Sequence, residues 1–147
     1  TTTSVDVVSG GTRPKGVPDR AQARVDVRVR TKDAGVRIEA ALKALQPVLP
    51  GAQLLIEGGM NRPPMEDNEV TRGPFRRAQE IAAELGMTLT ASGTGGASDG
   101  NFTAAMGVPT LDGLAAEGNG AHSEGEHIVV SSLPRRAALM AALLSSW

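Results

Sequence analysis

The dipeptide Pro63-Pro64, in "NRPPMEDNE", most constrains what this chain can fold into. Two consecutive prolines remove two backbone donors and fix φ, so neither a helix interior nor a central strand can run through them. The sequence also changes texture there. Upstream, apolar residues recur mainly with a period of two; downstream, helical spacing alternates with glycine-rich stretches. A domain boundary or crossover is therefore expected at this point, with one unit over residues 1–58 and a second over 59–147.

In the first unit, "SVDVVSGG" reads as a short strand entering a glycine turn, and "RPKGVPDR" as an extended loop. In "ARVDVRVRT", Ala23, Val25, Val27 and Val29 fall on one face and Arg24, Asp26, Arg28 and Arg30 on the other. That alternation predicts a half-buried antiparallel strand with a charged open face. Residues 33–46 switch to helical spacing, with Ile38, Ala41, Leu42 and Leu45 in one stripe and Asp33 as a candidate cap. "AQLLIEGG" predicts a third strand, stopped by Gly58 and Gly59. The sum is β-β-α-β, an open-faced sandwich with a helix on one side of a sheet.

In the second unit, "PFRRAQEIAAELG" predicts a helix with Pro74 in its first turn and Gly86 just past its end. Phe75, Ala78, Ile81, Ala82 and Leu85 would face inward. "MTLTAS" reads as a strand, "NFTAAM" as a short helix closed by Gly107, and "VPTLDGL" as a short buried strand. "HIVVSSLPRRAALMAALLSSW" predicts a strand and a final helix capped by Ser131 or Ser132. This α-β-α-β-loop-α order is an α/β pattern with parallel strands. The chain starts on three threonines without a Met and ends on Trp147 inside an apparent helix, so a fragment is expected.

Composition narrows the function classes. A net charge of -1 and an aromatic content of 2% argue against nucleic acid as partner, which calls for a basic stripe or stacking rings. No apolar run approaches the ~20 residues of a bilayer span, and the first residues lack the charged start and apolar core of a signal peptide. With no Cys there are no disulfides, and the cytoplasm is the default expectation.

The candidate chemistry lies in "GTGGASDGNFTAAMGVPTLDGLAAEGNGAHSEGEHI". His122 reads either as a metal ligand or as a solvent-exposed loop histidine, and His127 as structural. A catalytic zinc needs about three protein ligands; two histidines, no cysteines and unclustered acids do not supply them. Gly95, Gly96, Ser98 and Asp99 form a loop that either holds an anion on backbone N–H groups or is a sharp turn with Asp99 as N-cap. It lacks the spacing of dinucleotide and P-loop motifs, which leaves a nucleotide-binding module poorly supported. Arg28 reads either as a bidentate carboxylate fork or as part of a solvated face.

Taken in order, "SGGTRPKGVPDRAQARVDVRV", "GGMNRPPME", "GGASDGNF" and "GVPTLDGL…GNGAHSEGEHI…SLPRRAALMAALL" resemble the M20 metallopeptidases, nearest to the glutamate carboxypeptidase branch. The resemblance implies an α/β fold: part of a lid (dimerisation) α/β sandwich, then the C-terminal part of a zinc-peptidase-like α/β catalytic domain. It implies a parent enzyme with two zinc ions that hydrolyses an amide or peptide bond next to a carboxylate, in a small acidic substrate. His122 matches the last metal-binding histidine, and the remaining ligands and the general base match nothing here. Arg28 matches the lid arginine that holds a substrate carboxylate, and the Gly95–Asp99 loop matches the one lining the substrate pocket. Lys15 stands where the family carries Asn; its ammonium can meet an anion but cannot accept a hydrogen bond as an amide can. The resemblance also implies a homodimer through the lid. The alternative expectation is a non-catalytic dimerisation module, and the 147-residue chain by itself is expected to be inactive.

Overall fold

A computed structural model describes residues 1–146, as two compact units: Thr1–Pro64, and a second that starts at Met65. Both mix helix and strand.

The first unit is built on a hairpin of strands β1 (Thr2–Gly10) and β2 (Ala21–Arg28), followed by helix α1 (Lys32–Lys43). The strands pair antiparallel from Thr2↔Arg28 to Gly10↔Ala21. The register shifts between Val5 and Val7, so Asp6 is an extra residue on β1 and forms a bulge. The valine alternation of β2 is present: Val27 is part-buried on the apolar face, while Val25 is 48% and its partner Val5 60% exposed. No element among the described residues covers that face fully. Helix α1 starts at Thr31, whose extended backbone and Oγ1, accepting from Ala34 N–H at 3.2 Å, make the cap. Asp33 falls in the first turn instead, where a carboxylate complements the helix dipole. Gly35 is the buried residue of α1, set against Val29 and the end of the Met60 side chain. The predicted third strand in "AQLLIEGG" is absent: residues 52–59 have no ladder, and Leu55 is 79% exposed. A strand needs a partner row of donors and acceptors, and no other strand of the unit meets this segment.

The second unit rests on two helices, α2 (Glu69–Glu84) and α4 (Leu133–Ser146), joined by the core Ala78, Ile81, Ala82, Leu139 and Leu143. Helix α2 begins five residues before Pro74, because Asn68 and Thr71 form a capping box: Asn68 Oδ1 accepts from Val70 N–H at 2.9 Å and Thr71 Oγ1 from Asn68 N–H at 3.2 Å. Pro74 is therefore inside the helix, buried, and withholds one donor from the turn before it. Gly86, at φ 66°, ends the helix as expected.

"MTLTAS" and "VPTLDGL" do not form strands. Their residues Met87, Leu89, Leu111 and Leu114 pack against the core instead. The alternation of Met87 and Leu89 was legible, but no neighbouring strand among the described residues completes a ladder. Both sheets among the described residues are antiparallel pairs, so the expected parallel sheet is not formed there. Short helix α3 (Gly100–Ala105) ends before Gly107, at φ 81°. Strands β3 (Gly118–Asn119) and β4 (His127–Ile128) form a small antiparallel hairpin. A 3₁₀ turn (Val130–Ser132) then leads into α4 in place of a serine cap: the Ser132 hydroxyl turns to Val129 and Glu117. Trp147, expected to continue α4, lies outside the described residues. No helix among the described residues is long and apolar enough to cross a membrane.

Candidate functional site

Arg28 ends β2, and Asp26 lies two residues earlier on the same face, as strand periodicity dictates. Arg28 Nε donates to Asp26 Oδ2 at 2.7 Å. This hydrogen bond first, and the Asp26 charge second, raise the Arg28 pKa above its usual value. The pair is solvent-exposed, so its worth is orientation rather than stability. Lys15 sits in the loop between β1 and β2, closed by Gly11 N–H donating to Arg20 O at 3.3 Å.

The Gly95–Asp99 loop is held by its own side chains. Ser98 Oγ donates to Asp112 Oδ2 at 2.7 Å and accepts from Gly100 N–H at 3.1 Å. Asn101 Oδ1 accepts from Ser98 N–H at 2.9 Å, and Asn101 N–H returns to Ser98 O at 3.2 Å. Gly96 N–H donates to Thr94 Oγ1 at 3.2 Å. Several amides that could meet an anion are thus already bonded inside the loop. Asp99 stands at the N-cap position of α3 but makes no side-chain cap bond; its backbone is already helical, at φ -68° and ψ -19°. Asn101, one of two buried polar residues among those described, carried no motif in the sequence. Its spacing of three from Ser98 was the available signal. Arg136 was also missed: it donates to Ala115 O at 2.8 Å and Gly113 O at 2.6 Å, tying the following loop to α4.

His122 occupies the loop between β3 and β4. It is exposed, and its backbone is left-handed, with φ 65°. Lys15, also at φ 65°, is the other non-glycine residue in that region among those described. Such backbone costs about 1–3 kcal/mol and persists where surrounding bonds enforce it. His127 has the structural place expected of it: it opens β4, and its Nδ1 lies 2.8 Å from Gly125 O.

The donor set does not fit a complete metal centre. Among the described residues no group of three or more His, Cys, Asp or Glu side chains could hold an ion. His122 is a single imidazole on a hydrogen-bonded turn, and a complete centre would need further ligands from elsewhere.

The sequence profile described as peptidase family M20/M25/M40 matches residues 7–146. Carboxypeptidase G2 of Pseudomonas sp. (strain RS-16) is 31% identical over 136 residues, covering 87% of this chain and 32% of that protein. The chain therefore spans about a third of the length of the curated relative it matches.

Proposed function

The chain belongs to peptidase family M20/M25/M40, and from that premise we propose that it is part of a di-zinc metallohydrolase cleaving an amide or peptide bond next to a carboxylate. The observation that carries this reading is the match over residues 7–146, which takes in Arg28, the Gly95–Asp99 loop and His122 in order. In this reading the first unit is the lid and the second the C-terminal part of the catalytic domain.

The residues of this chain do the following. Arg28, steadied by Asp26, presents its guanidinium to the substrate carboxylate, a charge-assisted contact that fixes the end of the substrate. Lys15 adds a second cation for an acidic group. Gly95 and Gly96 keep the substrate wall free of side chains, while Ser98 and Asp99 give it polar edges. His122 offers one imidazole nitrogen to a metal centre whose other donors lie outside these residues. Bound zinc would supply Lewis acidity toward the scissile carbonyl; no proton-transfer residue for that reaction is assigned in this chain.

The test is a zinc titration of the chain and of H122A, with turnover of an N-acylglutamate measured alongside. Weak binding at most and no turnover are expected. Tight binding of two zincs, or hydrolysis by the chain alone, would overturn the shared-site reading. A second reading, a non-catalytic dimerisation module, is favoured by the exposed valine face of β1 and β2. A solution mass that doubles with concentration, in the absence of any metal binding, would select it.

A further inference from the structure

We infer that Ser123 and Ser132 are positioning residues for His122, an assignment that rests on the proposed role of His122 in the hydrolase.

Strands β3 and β4 contribute two residues each, too short a ladder to hold the intervening loop by itself. Two hydroxyls supply the rest. At the base, Ser132 Oγ accepts from Glu117 N–H at 3.2 Å and donates to Val129 O at 2.6 Å, while Val129 N–H donates to Glu117 O at 2.7 Å. One side chain and one backbone bond thus link both arms of the hairpin in a closed ring. Ser132 is only 6% exposed, and it immediately precedes α4, whose Leu139 and Leu143 belong to the core. The base of the hairpin is therefore fastened next to the helix that carries the core of the unit.

At the tip, Ser123 donates twice to Gly120 O, from N–H at 3.0 Å and from Oγ at 2.6 Å. Its Oγ accepts from Gly125 N–H at 3.3 Å, and its carbonyl accepts from Glu126 N–H at 3.1 Å. These bonds draw the residue after His122 back onto Gly120, two residues before it. The chain closes so tight a turn by placing His122 at φ 65°. L-residues are uncommon there, histidine less so than most, and the Ser123 hydroxyl, doubling the backbone bond to Gly120 O, holds the turn from which the His122 side chain leaves the backbone. Ser132 fixes where the turn sits, and Ser123 holds the backbone from which the ring departs. Neither contacts a reacting atom.

The experiment is solution NMR of the full chain as wild type, S123A, S123T and S132A. It reads the HN–Hα coupling and Cα shift of His122, which report φ, and the amide exchange of Val129. The core signals of Leu139 serve as the folding control. S123A should move His122 out of the left-handed signature while Leu139 is unchanged, and S123T, which keeps the hydroxyl, should restore it. S132A should speed Val129 exchange about tenfold, as expected for opening a base that has lost its shared hydroxyl. An unchanged His122 signature in S123A, or no rescue by S123T, overturns the role of Ser123; unchanged Val129 exchange overturns that of Ser132. These readouts are conformational, so a failure of the hydrolase reading in the zinc titration would leave them in place and is separable.

Discussion

The Ser98 hydroxyl donates to the Asp112 carboxylate at 2.7 Å, fastening the glycine-rich loop to the chain fourteen residues later. The same hydroxyl accepts from Gly100 N–H, so one side chain serves both the loop and the start of α3. S98A should destabilise the second unit by about 1 kcal/mol and increase loop mobility. Urea unfolding gives the first quantity and amide exchange at Gly100 the second.

Leu139 is fully buried and Leu144 is 78% exposed on the same helix. L139A should cost about 2–5 kcal/mol, while L144A should stay within about 0.5 kcal/mol. Denaturant midpoints of the two variants give the comparison, and equal losses would contradict this placement of α4.

The start of α2 carries two carboxylates whose pKa values are lowered. Asp67 is lowered first by its hydrogen bond from Arg72, at 2.7 Å, and Glu69 first by that from Arg76, at 2.9 Å. A folded-state pKa below the unfolded one adds stability that is complete above the unfolded value. That stability is lost as pH falls through the folded value. Stability should therefore decline below about pH 4, the ordinary carboxylate range. D67N should flatten part of that decline while changing stability at neutral pH little, since both groups are exposed. Thermal melts across the acid range measure it.

Gly118 lies so close to the backbone carbonyl of His127 that an added Cβ would meet it, whereas Gly51 has open space around it. G118A should break the β3–β4 pairing and release Val129 N–H to exchange. G51A, at φ 78°, should cost only the left-handed backbone penalty, about 1 kcal/mol. Amide exchange at Val129 distinguishes the two variants.

Local signals in the sequence proved readable where they were self-contained. The alternation of β2, the Ala78, Ile81 and Ala82 part of the α2 stripe and the Gly86 stop each depend on neighbours within a few residues, and each formed, whereas Leu85, expected inward, is 42% exposed at the helix end. The segments around Leu54, Leu89 and Leu111 carried strand-like patterns but stay unpaired, because a strand is defined by a partner that may be far along the chain. Helix starts were misplaced for a related reason. Thr31 and Asn68 cap through side-chain geometry that outranks the choices of Asp33 and Pro74 made from spacing. At the candidate site, residue type alone left His122 and Arg28 open between a functional and a solvent-exposed reading, and the family resemblance singled them out. Ser123, Ser132, Asn101 and Arg136 did not stand out, since their contribution is a set of hydrogen bonds rather than a motif.

The bulge at Asp6 distinguishes the two strands of the hairpin. On β1 an extra residue breaks the even spacing of edge donors and acceptors and places an acidic residue there, which discourages another strand from docking. On β2 the run Ala21–Arg28 carries no such interruption. The two edges of the hairpin are therefore unequal, and the uninterrupted one is the strand that carries Arg28 at its end.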